Sequence, residues 1–195
     1  MSLAMPILIA VLIAAAPAAQ QSKNLPESIA PQRELADAEL RARIEAYLGS
    51  IDTPIRPEHW RALGAKAAAV LEEMALDPQR LPTRRARALE GLSIVGSPRA
   101  PQMMVELAQR EGEPAIVRMS AMRGAGRLLG PEKLVPALKP VLAGSKDPYL
   151  RATAAEVLAH RSPSAGCAAV KERIEAEATE LRGHFDRAVR VCDER

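Results

Sequence analysis

The residues able to do chemistry in this chain are few and widely spaced. Cys167 and Cys192 are the two cysteines of the 195-residue sequence. A thiol pair can attack a carbonyl, hold zinc or oxidise to a disulfide. A catalytic thiol needs a histidine base with an orienting group beside it, and a zinc site needs several ligands at short spacings. The three histidines, His59, His160 and His184, are scattered, and only His184 falls between the cysteines. Neither chemistry finds its partners. His160 falls where a helix is expected to end, and an imidazole there offsets the C-terminal dipole. Ser-centred elbows, phosphate loops and deaminase-like Cys/His patterns are absent from the sequence. Gly124-Ala125-Gly126 lies within an apolar helical pattern, which fits close helix packing better than phosphate binding. Glu72-Glu73 and Asp193-Glu194 are adjacent acids, which diverge by about 100° on a helix and read as solvated faces. No catalytic, cofactor or metal-binding residue is expected, and the chain does not read as an enzyme.

Oxidation remains for the thiols, and it depends on where the chain resides. Residues 3–19 carry no charge. An Ile/Leu/Val core from Ile7 to Ile13 gives way to Ala14, Ala15, Ala16, Pro17, Ala18 and Ala19. This is the hydrophobic region and cleavage zone of a secretory signal peptide, with Ala16-Pro17-Ala18 as an A-x-A site, although no Lys or Arg precedes it. The alternative, an uncleaved anchor, calls for about 20 apolar residues, and Pro6 and Pro17 interrupt a shorter stretch. The sequence therefore predicts a signal peptide over residues 1–19, export to a periplasmic or secreted location, and no stable membrane span after cleavage. In an oxidising compartment an isolated cysteine pair is most simply a disulfide, here Cys167–Cys192.

Composition points to helices. Aromatic residues make up 2% of the chain, while Ala, Leu, Arg and Glu, which lose little freedom in a helix, are frequent. Most of the 16 prolines fall between helical stretches, where proline punctuates helices. Basic residues number 27 against 24 acidic ones, mixed along the sequence. A nucleic-acid binder would show a basic stripe, often with interleaved aromatics, so nucleic acid is not an expected partner. The short run Arg84, Arg85 and Arg87 reads as a solvated helix edge with contacts to the following repeat. Trp60, the sole tryptophan, reads as an anchor in the N-terminal core, with a sugar or ligand platform as the alternative.

Those helices must position whatever the chain does. Residues 20–33 contain Pro26 and Pro31 without periodicity and read as a flexible leader. Leu40, Ile44, Tyr47 and Leu48 then share one face of a capping helix from Asp37 that Gly49 ends. Beyond it, a 33-residue offset aligns Arg85, Arg118 and Arg151, then Ala88, Ala121 and Ala154, then Leu92, Ala125 and Leu158. Breakers introduce each copy at Pro82, Pro114 and Asp147-Pro148. Second helices are expected at Ala100–Arg110 with Met103, Met104 and Leu107 inward, and at Lys133–Ala143 with Leu134, Leu138, Val141 and Leu142 inward. A third starts at Pro163 with Cys167, Val170 and Ile174. A degenerate copy, Pro57–Leu63 and Ala67–Leu76, precedes them. Within a domain over 34–195 the copies span about 52–80, 81–113, 114–146 and 147–178. Pro140 falls inside a second helix and predicts a kink. Two-helix units at this period stack into an all-α solenoid, because one hairpin cannot bury its apolar face alone.

The stretch Asp147-Pro148-Tyr149-Leu150-Arg151-Ala152-Thr153-Ala154-Ala155 resembles the first helix of a HEAT or HEAT-like repeat. Pro114 to Gly130 is similar, with its arginine, small residues and closing glycine. The resemblance covers residues 52–175 and departs where Leu81 and Pro114 stand in place of the usual acidic residue. It implies a right-handed α-α superhelix of about three to four hairpins with capping helices, used as a scaffold for protein partners. In HEAT-like superhelices the second helices line the concave face. The same offset aligns Glu73, Glu106, Lys139 and Glu172 on their polar side, a candidate interaction strip whose plainer reading is solvated charge. The function expected is that of an exported, non-enzymatic scaffold or protein-interaction module without a cofactor. The alternative is a groove-based ligand-binding or lyase-like HEAT-repeat protein.

The disulfide constrains the last turn. If the third copy's second helix ran on to Gly183 before reversing, the cysteines would lie about 10 Å out of step at 1.5 Å per residue. A disulfide needs Cα atoms within about 7 Å. A reversal at Ala178 or Thr179 makes the arms nearly equal. Thr179 then caps a terminal helix over about Glu180–Cys192 that carries Leu181, Phe185, Ala188 and Val189.

Overall fold

A computed structural model describes residues 36–194, all of which belong to one unit of the chain, residues 33–195. The signal peptide expected over 1–19 and the leader over 20–33 lie outside the described residues. Ten α-helices follow one another among the described residues, with no strand. They are α1 (Asp37–Gly49), α2 (Pro57–Arg61), α3 (Ala67–Leu76), α4 (Pro82–Val95), α5 (Ala100–Gln109), α6 (Ala115–Leu128), α7 (Pro131–Gly144), α8 (Pro148–Arg161), α9 (Ala165–Ala176) and α10 (Asp186–Asp193). A 3-10 segment, Thr179–Phe185, leads into α10.

Proline sets most of the starts. Pro57, Pro82, Pro131 and Pro148 occupy the first helical position, where the missing N–H costs no hydrogen bond. Asp147 caps α8, its Oδ1 accepting from the Tyr149 N–H at 2.8 Å. The two prolines inside α7 do not end it. The helix runs on through Pro136 and Pro140 to Gly144, with Leu134, Leu138, Val141 and Leu142 buried along one face. Tertiary packing thus outweighs the intrinsic penalty of about 3 kcal/mol per proline.

The fold is all-α and solenoid-like. Successive first helices pack side by side, α2 on α4, α4 on α6 and α6 on α8, while α5 packs on α7 and α7 on α9. Each second helix also lies against the next first helix, α3 on α4, α5 on α6 and α7 on α8. The apolar stripes meet in one continuous core that includes Leu71, Met74, Leu89, Leu92, Met104, Leu107, Met122 and Leu138. Close approach explains the glycines of α6. A Cβ on Gly124 would lie 2.2 Å from Met104 Sδ, and one on Gly126 would lie 2.7 Å from Val157 Cγ1. Helix packing, as the sequence implied, occupies both.

Three sequence-based expectations need correction. The third copy's second helix begins at Ala165, two residues later than Pro163. The terminal helix is not one α-helix over Glu180–Cys192. Its first half is the 3-10 segment, in which Thr179 is the first residue and not a side-chain cap. Gly183 weakens α-helix there, and Arg182 reaches back to the carbonyls of Glu177 and Glu175 at 3.1 and 3.4 Å. The third concerns Arg85. It is 4% exposed, so the basic run is no uniformly solvated edge.

Candidate functional site

Glu73 on α3, Glu106 on α5, Lys139 on α7 and Glu172 on α9 are all exposed. The structure joins two of them. Lys139 Nζ donates to Glu172 Oε2 at 3.2 Å, bridging α7 and α9. Glu73 instead accepts two hydrogen bonds from Arg41 on α1, at 3.0 and 2.6 Å. Those bonds hold the Glu73 carboxyl below its ordinary range. Both partners face solvent, so the pair adds little to stability. Glu106 accepts from Gln102 one turn earlier at 3.0 Å and forms no ion pair among the described residues. Between α5 and α7 lies a groove of about 650 Å³, lined by Pro101, Gln102 and Val105 on one side and Lys133, Pro136 and Ala137 on the other.

Beneath this surface, buried arginines tie the helices together. Arg85 Nε donates to the Ala75 carbonyl at 2.9 Å, and Arg118 Nε donates to the Ala108 carbonyl at 3.0 Å. The acceptors lie in the last turns of α3 and α5, where helix carbonyls lack intrahelical partners and a cation complements the dipole. Arg151 serves α7 in the same way, donating through Nη1 to the Ser145 carbonyl at 2.7 Å. Arg85 also meets Glu113 at 2.8 Å. Arg151 grips Glu177 with two nitrogens, Nε at 2.9 Å and Nη2 beside it, and Arg173 approaches the same carboxylate at 2.7 Å. Glu177 is 4% exposed. The Arg151 hydrogen bond, aided by Arg173, holds its carboxyl below the ordinary glutamate range against the opposing effect of burial.

The cysteines are bonded. Cys167 on α9 and Cys192 on α10 form a disulfide with Cα atoms 5.5 Å apart. The histidines stay apart: His59 Nδ1 accepts from the Arg56 N–H at 3.2 Å, and His184 lies 4.7 Å from the Tyr149 ring. Trp60 is 1% exposed and meets Tyr47 edge-on, a core anchor with no ring face left for a sugar. No helix among the described residues is long and apolar enough to cross a membrane.

Sequence reasoning aligned the three arginines but missed the acids they hold, Glu113 and Glu177. Glu113 lies 28 residues after Arg85 and Glu177 lies 26 after Arg151, so no single column at the 33-residue offset marks both. No family model, curated protein or solved structure matches this chain.

Proposed function

We propose that this protein is an exported, non-catalytic scaffold built from HEAT-like repeats, which docks a protein partner on the exposed side of α5 and α7 around Glu106 and Lys139. One observation carries the reading. Glu106 is an exposed carboxylate without an ion-pair partner among the described residues, and the helix that carries it walls a 650 Å³ groove lined by proline and aliphatic side chains together with Gln102 and Lys133. A trough of mixed polar and apolar lining with an uncommitted charge nearby suits a protein segment, whose own surface is mixed in the same way. The arginine ties under α3, α5 and α7 support a rigid platform, which lowers the ordering cost of binding. The Cys167–Cys192 disulfide supports an oxidising, exported environment.

A photo-crosslinker placed at Gln102 in the native host tests this. Glu106→Lys is expected to reduce the adduct about tenfold, by reversing a contact charge. Lys139→Glu also breaks the bridge to Glu172. The exchange Lys139→Glu with Glu172→Lys restores that bridge and is expected to remain impaired. Adducts that survive all three variants would place docking elsewhere.

A further inference from the structure

Arg85, Arg118 and Arg151 hold equivalent places on α4, α6 and α8, and each is less than a tenth exposed. Two of them face a carboxylate, the part-buried Glu113 for Arg85 and the buried Glu177 for Arg151. The step from Arg85 to Glu113 leads from Arg118 to Lys146, and the shorter step from Arg151 to Glu177 leads to Gly144. Neither position supplies Arg118 with an acid. Among the described residues Arg118 makes one hydrogen bond, Nε to the Ala108 carbonyl, and its two Nη groups have no acceptor. They are not sealed from solvent either. Arg118 and the exposed Lys146 line a pocket of about 310 Å³.

Three acids, Glu111, Glu113 and Asp147, line the pocket with these two cations, and two of the three are engaged elsewhere. Glu113 binds Arg85 at 2.8 Å and Arg110 at 3.3 Å. Asp147 uses Oδ1 to cap α8. Glu111 is exposed and forms no ion pair among the described residues. Solvent reaches the Nη groups, so an anion entering the pocket can meet them in place of water.

We propose that this pocket binds a carboxylate supplied from outside the chain, the acidic side chain of a docked protein segment, which takes the place beside Arg118 that Glu113 and Glu177 take beside the other two arginines. The planar Nη pair suits a carboxylate in bidentate geometry, and Lys146 adds a second cation. Phosphate would meet the same charges, but both neighbouring arginines hold carboxylates, which favours that chemistry. Only the source of the carboxylate rests on the scaffold reading.

The test follows the Arg118 Nε–Hε resonance of the ¹⁵N-labelled full chain by NMR. The probes are acetyl-Gly-Glu-Gly-amide, its Gln analogue and inorganic phosphate at matched ionic strength. Saturation by the Glu peptide is expected, with the Gln analogue about tenfold weaker and phosphate weaker than the Glu peptide. Lys146→Glu supplies the carboxylate within the chain and is expected to abolish the response. A flat titration of the wild type, equal responses to the Glu and Gln peptides, tighter phosphate binding, or a response that survives Lys146→Glu would overturn the site. So would a response that appears only in Asp147→Asn or Glu111→Gln, since that carboxylate would then already satisfy Arg118. The resonance reports on the pocket irrespective of Glu106 and Lys139, so failure of the α5–α7 surface and failure of this site are separately visible.

Discussion

The two ends of the helical stack are closed by different means. At the N-terminal end α1 lays Leu40, Ile44 and Leu48 onto the core, and Trp60 packs against Tyr47 with ring centroids 5.3 Å apart. The ion pairs there, Arg41–Glu73 and Arg80–Glu45, lie near the surface. At the C-terminal end α10 buries only Ala188, with Phe185 just ahead of it. That end is held by the Cys167–Cys192 bond and by Glu177 between two arginines. The last unit of a stack has no neighbour to cover its apolar face. A helix with a full apolar stripe solves this by packing. A helix of eight residues cannot, and a crosslink with a buried ion cluster takes over.

Substitutions at each end can break or sharpen this contrast. The largest effect is expected from Trp60→Ala, which removes the main side chain of the N-terminal closure and should cost about 3–5 kcal/mol in urea unfolding. Glu177→Gln comes next, at about 3 kcal/mol, because it leaves the buried Arg151 without its counter-charge. Its pH signature is specific. The folded-state carboxyl titrates below the ordinary glutamate range, so its contribution is complete above that range and is lost as pH falls through the folded value. The wild type should therefore lose stability on acidification more steeply than Glu177→Gln, measured by urea midpoints across the acid range. Replacing both cysteines with alanine should cost about 2 kcal/mol by thermal unfolding, and a reductant should lower the wild type to match. The smallest effect belongs to Glu45→Gln, below about 1 kcal/mol, since Glu45 and Arg80 remain partly exposed. If loss of the disulfide exceeded loss of Trp60, the proposed division between packing and crosslinking would be reversed.

Local signals were readable where they concern one helix at a time. Ala67–Leu76 matches α3, and Met103, Met104, Leu107 and Ala108 are all buried in α5, because period and punctuation are written within a dozen residues. The pairing of Cys167 with Cys192 was readable too, as the two cysteines of a chain expected to be exported, and with the rise per residue it placed the reversal near Ala178. Arg85 shows where such reasoning stops. Its burial depends on Glu113, which sits beyond the next helix and leaves no mark on the periodicity around Arg85. The 3-10 segment escaped for a related reason: Leu181, Phe185, Ala188 and Val189 fit an α stripe equally well, and only Gly183 spoke against it. Glu106 and Lys139 were legible as a column, but which charges pair across helices was not. Lys139 meets Glu172, while Glu73 is taken by Arg41 from outside the column.

The crosslink has a further consequence for how the C-terminal tail responds to proteases. The residues between its two cysteines include the exposed stretch from Ala178 to Glu180 and from Arg182 to His184, the kind of surface segment where nicking concentrates. A trypsin-like cut after Arg182 would sever the backbone without releasing a fragment, because the piece that carries Cys192 stays tethered to α9. On a non-reducing gel the clipped molecule would migrate as one species, and the piece that carries Cys192 would separate only once the sulfur bond was opened.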